Sequence, residues 1–209
     1  EKLYPTLNDL LGEWQISHIP VFKGIRVVGF QYSPKSHAVK DFLSGNLIPY
    51  KWLDIMNASE AKELMDLAEL EDHQLPAVFF EDGTHLINPS SVELGEKIGL
   101  RSKAAENMYD VAIIGAGPAG MAAAVYGGSE GLKTLLIEKH APGGQAGTSS
   151  RIENYLGFPK GLSGADLTQR AITQAKRFGI EFLSPQTVVG VETQDQYKKV
   201  ILENGEQIH

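Results

Sequence analysis

The 209 residues contain no cysteine, so disulfides and thiol nucleophiles are excluded within them. An excess of basic charge is missing too: 19 Lys and Arg stand against 26 Asp and Glu, for a formal net charge of −7. No Lys/Arg cluster is interleaved with aromatics, so no nucleic-acid partner is expected. Long apolar runs are absent; nothing approaches the ~20 residues of a membrane span, and no signal peptide is visible, which makes the cytoplasm the default expectation and a membrane partner unexpected. The histidines His18, His37, His73, His85, His140 and His209 are scattered without H-E-x-x-H or comparable spacing. Ordinary surface or core histidines are expected, and no metal ligands. Repeats and low-complexity tracts are also lacking. What is present is a 42% hydrophobic chain of 209 residues, long enough for two cores in two domains of about 100 residues each.

The stretch Tyr109-Asp-Val-Ala-Ile-Ile-Gly-Ala-Gly-Pro-Ala-Gly120 runs an apolar strand into a GxGxxG turn. Val111 to Ile114 read as a buried parallel strand. In this pattern Gly115 permits the tight turn, Gly117 lets backbone approach a pyrophosphate, and Gly120 lets the next helix sit close to the strand. Pro118 and Ala119 complete the expected pyrophosphate turn. Ala122 to Ser129 continue as a small-residue helix ended by Gly131, and Thr134 to Ile137 form a second buried strand. Glu138 follows, roughly 20 residues past the turn, where a ribose hydroxyl pair needs a carboxylate acceptor. The alternative for Glu138 is a solvated charge at a strand end. Lys139 is taken with it as a cofactor contact.

Pro142-Gly-Gly-Gln-Ala-Gly147 comes next, then Arg151-Ile-Glu-Asn-Tyr-Leu-Gly-Phe-Pro159. These runs resemble the flavin-binding region of the low-molecular-weight, bacterial-type thioredoxin reductases. The resemblance implies an FAD site with Gly143, Gly144, Gln145 and Asn154 as flavin contacts. Glycines let backbone N–H groups face the flavin, and amides both donate and accept at its edge. A turn-rich surface loop is the bland alternative, against which Ile152, Tyr155, Leu156 and Phe158 argue for order.

Ser163-Gly-Ala-Asp166 is a capping-box-like start to a helix with Leu167, Ala171, Ala175 and Phe178 on one face. Gly179 stops it, and Ile180 to Leu183 read as a strand. Thr187 to Thr193 and Lys198 to Leu202 form an antiparallel pair, Asn204-Gly205 is a hairpin turn, and a third strand is expected from Glu206. The sequence stops at His209 instead, so the meander is expected to end before that strand and to leave an unpaired edge. The resemblance implies that the meander leads on to a nicotinamide-binding domain, which makes the chain a fragment.

The first hundred residues read as a different unit. Ile25 to Phe30 is a strand; Gln31-Tyr-Ser-Pro-Lys-Ser-His37 leads into a helix ending near Gly45; Ile48 to Ile55 is a second strand. A helix from about Ser59 to Leu70 has Leu64, Leu67 and Ala68 as its inner face. Leu75 to Phe80 and Thr84 to Ile87 form a hairpin around Glu81-Asp-Gly83, and Ser91 to Ile98 is a final helix. This β-α-β-α-β-β-α order resembles glutaredoxin and thioredoxin folds, which implies that Ser33-Pro34-Lys35-Ser36 stands where those folds carry Cys-Pro-x-Cys, and that the Leu75–Pro76 bond is cis. Serine forms neither a thiolate near neutral pH nor a disulfide, so no dithiol chemistry is expected here. The simpler role for Ser33 and Ser36 is helix N-capping. Before this unit, Tyr4 to Trp14 carries the stripe Leu7, Leu10, Leu11 and Trp14 of an amphipathic connecting helix.

Taken together, the expected fold class is α/β: residues 1–22 a connecting helix and linker, 23–100 a thioredoxin-like domain lacking CxxC, 101–108 a linker, and 109–209 the first part of a Rossmann-like FAD-binding domain, a parallel sheet plus a β-meander. The combination resembles the bacterial fused response regulator/thioredoxin-disulfide reductases. That resemblance implies FAD as cofactor, NAD(P)H bound by a domain outside this chain, a thioredoxin-like protein or other electron acceptor as partner, and a homodimer. No residue is expected to be a catalytic acid, base or nucleophile. Two other readings stay open: a flavoprotein that passes electrons to a non-disulfide acceptor, and a flavin-binding regulatory or docking module without catalysis.

Overall fold

The computed structural model describes residues 24–209. The amphipathic stripe of Tyr4 to Trp14 and His18 lie outside the described residues.

In the first unit, β1 (Ile25–Gly29), α1 (Pro34–Gly45), β2 (Tyr50–Asp54), α2 (Ser59–Leu67), β3 (Ala77–Phe79), β4 (His85–Ile87) and α3 (Ser91–Lys97) follow in the expected order. The sheet runs β2-β1-β3-β4, with β1 parallel to β2 and antiparallel to β3. Successive strand residues point to opposite faces, and Val27 and Val28, both fully buried, show the consequence. Val27 packs with Val39, Phe42 and Leu43 of α1 and Leu94 of α3. Val28 packs with Leu53 and with Ala61 and Met65 of α2. The inner face of α2 is therefore Ala61 and Met65, with Leu64 and Ala68 at its margin; Leu67, expected inside, is 84% exposed. A Ser90–Glu93 capping box starts α3.

The Leu75–Pro76 peptide is cis, as expected. The capping role expected for the two serines is corrected. Ser33 occupies the N-cap position of α1, but its side chain makes no capping bond. Ser36, in the first turn, is fully buried, and its hydroxyl has no hydrogen-bond partner among the described residues. A Cβ added at Gly29 would lie 2.4 Å from Ser36 Oγ, so the neighbouring strand presses directly on this hydroxyl. An orphaned buried hydroxyl costs about 1–3 kcal/mol, and alanine is the better helix former. Ser36→Ala is therefore expected to raise the melting temperature by a few degrees; a lower melting temperature in a thermal scan would show that the hydroxyl has a partner.

In the second unit, β5 (Val111–Ile114), α4 (Pro118–Ser129), β6 (Thr134–Ile137), α5 (Gly164–Arg177) and β7 (Glu181–Leu183) precede a meander of β8 (Val188–Gln194), β9 (Tyr197–Leu202) and β10 (Gln207–Ile208). The parallel sheet runs β5-β6-β7. Its central strand β6 is buried throughout, and Leu136 faces α4 and α5 through Met121, Ala124 and Ala175. Leu135 and Ile137 face the meander through Val200, Leu202 and Ile208. Each fully buried Leu or Ile contributes roughly 1.5–3 kcal/mol. The expected full burial of β5 is corrected, because β5 lies at the sheet edge and Ile114 is 54% exposed. The expectation that the meander ends before its third strand is corrected: β10 pairs with β9, Ile208 is fully buried, and Tyr109 N–H donates to the carbonyl of His209.

Residues 101–108, expected as a linker, are bonded along their length. Arg101 O accepts from Ser184 N–H at 2.9 Å, Ser102 O from Gln186 Nε2 at 2.7 Å, and Ala105 N–H donates to Glu181 Oε1 at 2.7 Å. The Tyr109 phenol donates to Glu181 Oε2 at 2.7 Å, and burial together with this bond pushes its pKa up to about 12. Among the described residues, no helix is long and apolar enough to cross a membrane.

Candidate functional site

The glycine-rich turn lies between β5 and α4. Gly115 has φ 96°, a left-handed conformation that favours glycine. Gly117 is the N-cap of α4 in extended backbone, φ −70° and ψ 178°, and offers no side chain to the helix amides. Pro118 sits at the first helical position, where its missing N–H costs nothing. The free N–H groups of the first turn, with the positive end of the helix dipole, make a site for an anion. A Cβ on Gly117 would meet nothing within 4 Å among the described residues, so space is open directly in front of these amides. Gly120 is different: a Cβ there would sit 1.9 Å from Gly115 O, and only glycine allows α4 to approach its own turn.

Glu138, just past β6, is joined to this turn. Its Oε2 accepts from Ala116 N–H at 2.8 Å and its Oε1 from His140 N–H at 3.0 Å. A carboxylate has about four acceptor positions, so lone pairs remain for a ribose hydroxyl pair while the backbone bonds fix the side chain. Glu138 is half-buried and holds these two backbone bonds. Lys139 is exposed beside it.

The GGQ turn is brought against the same place. Gly143 N–H donates to Ala116 O at 2.7 Å, and a Cβ on Gly144 would lie 3.3 Å from Gly117 Cα. Gly143 and Gly144 adopt φ 100° and 53°. Residues Gly144–Thr148 form a 3-10 turn where an irregular loop was expected. Asn154 shares a cavity of about 390 Å³ with Pro118, Ala146, Ile152 and Leu167. Gln145 is exposed on the 3-10 turn and is not among the residues lining that cavity. The structure thus gathers Gly115, Gly117, Pro118, Ala119, Gly120, Glu138, Gly143 and Gly144 around one helix end, with Asn154 at its flank and Gln145 turned to solvent. Leu156, read as evidence of order, is 97% exposed, although Ile152 and Leu162 pair across the loop.

Sequence reasoning missed two supports. Thr168 on α5 backs the GGQ turn, its Oγ1 only 2.3 Å from where a Gly143 Cβ would be. Gly164 lets Ala146 O approach α5, since a Cβ there would lie 1.8 Å from that oxygen. The glycine of Ser163-Gly-Ala-Asp166 was the available signal; its neighbour was not. The Ser163 cap itself forms as expected, accepting from Asp166 N–H.

Residues 109–209 match the model of the family described as pyridine nucleotide-disulphide oxidoreductase. The chain is 49% identical over 77 residues to thioredoxin reductase of Bacillus subtilis, covering 37% of this chain and 24% of the relative. It is 42% identical over 100 residues to thioredoxin reductase of Aquifex aeolicus, covering 48% and 31%. Of solved structures, thioredoxin reductase of Streptococcus pyogenes aligns at 36% identity and a TM-score of 0.46, covering 50% of this chain and 33% of that one. The chain therefore spans about a quarter to a third of the length of these curated relatives. Over residues 109–209, the chain is thus similar to one part of the thioredoxin reductases and matches the pyridine nucleotide-disulphide oxidoreductase model.

Proposed function

We propose that residues 109–209 bind FAD as part of an NAD(P)H-dependent oxidoreductase resembling thioredoxin-disulfide reductase. The observation that carries this reading is the uncapped N-terminus of α4 with Gly117 open before it, bonded through Ala116 to Glu138. In this reading Gly115, Gly117, Pro118, Ala119 and Gly120 hold the pyrophosphate, and Glu138 with Lys139 the adenosine ribose. Gly143, Gly144, Gln145 and Asn154 take the flavin side. The bound flavin supplies the redox chemistry. The chain's own residues bind and orient it, and none serves as acid, base or nucleophile. With no cysteine in the 209 residues, any disulfide exchange lies outside them, and a thioredoxin-like protein or another acceptor receives the electrons. NAD(P)H binding, homodimerisation and a cytoplasmic location belong to the same proposal.

Residues 23–100 are proposed as a thioredoxin-like domain without dithiol chemistry, in a protein of the fused response regulator/thioredoxin-disulfide reductase kind. Support comes from its sheet order β2-β1-β3-β4 and from Ser33 and Ser36 at the start of α1. Residues 101–108 join the two domains. The test is the flavin content of the protein purified with its natural downstream sequence: one FAD per chain is expected, and protein without flavin would remove the reading.

A further inference from the structure

We infer that Asn46, at the end of α1 in the first unit, is a positioning residue for the dinucleotide turn of the second; the inference rests on the cofactor reading above. Asn46 ends α1 with φ −85°, so the backbone does not call for asparagine by a left-handed conformation. Its side chain is used instead. Nδ2 donates to Phe42 O at 2.9 Å within its own unit and to His140 O at 3.1 Å across the junction. The N–H of His140 donates to Glu138 Oε1, and Glu138 Oε2 accepts from Ala116 N–H inside the glycine-rich turn. Ala116 O then accepts from Gly143 of the GGQ turn. A continuous polar line thus runs from α1 to both turns of the candidate flavin site.

The steric contacts point the same way. A Cβ on Gly45 would lie 2.7 Å from Ala141 Cβ, and one on Gly95 would lie 2.7 Å from Pro185 Cδ. Two helix glycines thereby seat the loops that follow β6 and β7. Ser184 Oγ adds a second, longer contact to His140 O at 3.4 Å. His140, two residues after the proposed ribose acid, is thus gripped from both units, which gives a unit without cysteines a task in the flavin site: it fixes the orientation of Glu138.

The test compares Asn46→Ala and Asn46→Gly in the full-length protein. Both substitutions remove the cross-unit donor, and because they differ in helix propensity an effect common to both is not one of propensity in α1. Both variants are expected to speed amide exchange at His140 and Ala116 and to weaken FAD binding by about 5- to 10-fold, the effect of one lost hydrogen bond. Exchange along α1 should stay as in the parent. Unchanged exchange at Ala116 and unchanged FAD affinity would overturn the inference, as would a uniform rise through the first unit, which marks a fold defect. A parent protein that binds no FAD would overturn the cofactor reading instead, and exchange at Ala116 would still decide whether the two units are coupled.

Discussion

Gly117→Val is expected to abolish flavin binding while the protein still folds, whereas Gly120→Val should lose both flavin and stability. The difference lies in what each added side chain meets. At Gly117 a Cβ meets nothing within 4 Å among the described residues, and the extended backbone there suits any residue. The cost to the fold is limited to a poorer N-cap, roughly 1 kcal/mol, or about 2–4 °C in melting temperature. In the proposed site, however, that open space is where a pyrophosphate approaches the helix amides, so a valine would exclude it. At Gly120 the Cβ would sit 1.9 Å from Gly115 O, and α4 must leave its turn, at about 3 kcal/mol or more. Thermal scans of the two apo variants, beside their flavin content, separate the effects. A Gly117→Val protein with parental flavin would sink the site assignment, and a Gly120→Val protein with the parental melting temperature would contradict the close approach of α4.

The second large effect is expected at Glu138. Glu138→Ala removes the acceptor of two backbone N–H groups, one of which belongs to the fully buried Ala116. Leaving that donor unsatisfied costs about 1–3 kcal/mol even without cofactor. The same change removes the proposed ribose acceptor, so FAD binding should fall by about tenfold or more, as expected for bonds to a charged group. Glu138→Gln keeps one amide oxygen as an acceptor and should fall between alanine and the parent in both measurements. Calorimetry of the apo protein and titration with FAD give the two quantities separately. A parental melting temperature for the alanine variant would show that the bond to Ala116 carries nothing; parental FAD affinity would return Glu138 to an ordinary strand-end charge.

Local chemistry made much of this legible in the sequence. The GxGxxG turn and the apolar run before it leave the backbone few alternatives, and the turn and the strand both form. Ser163 caps α5, and Asn204-Gly205 turns the meander, for the same reason. Positions that depend on distant neighbours were harder. Val111 to Ile114 read as a buried strand, yet Ile114 is exposed because β5 is an edge strand, and edge or centre is decided by pairing. Leu67 satisfies the helical periodicity of α2 but lies one step off the stripe that meets the sheet, which runs through Ala61 and Met65. Ser36 looked like a cap and is buried beneath β1, a consequence of how α1 docks. The charged stretch from Arg101 had the composition of a linker, although its backbone groups are bonded by Glu181, Ser184 and Gln186, more than 70 residues away. Asn46 carried no signal at all, because its partner His140 is 94 residues distant.

The central claim is that this chain supplies the flavin-binding part of a pyridine-nucleotide oxidoreductase. It is tested most directly by the visible absorption of the protein purified with its natural downstream sequence, recorded before and after anaerobic addition of NADPH. An oxidised flavin band that bleaches on addition is expected. Protein with no flavin band, or with a flavin that NADPH and NADH both leave oxidised, would contradict it.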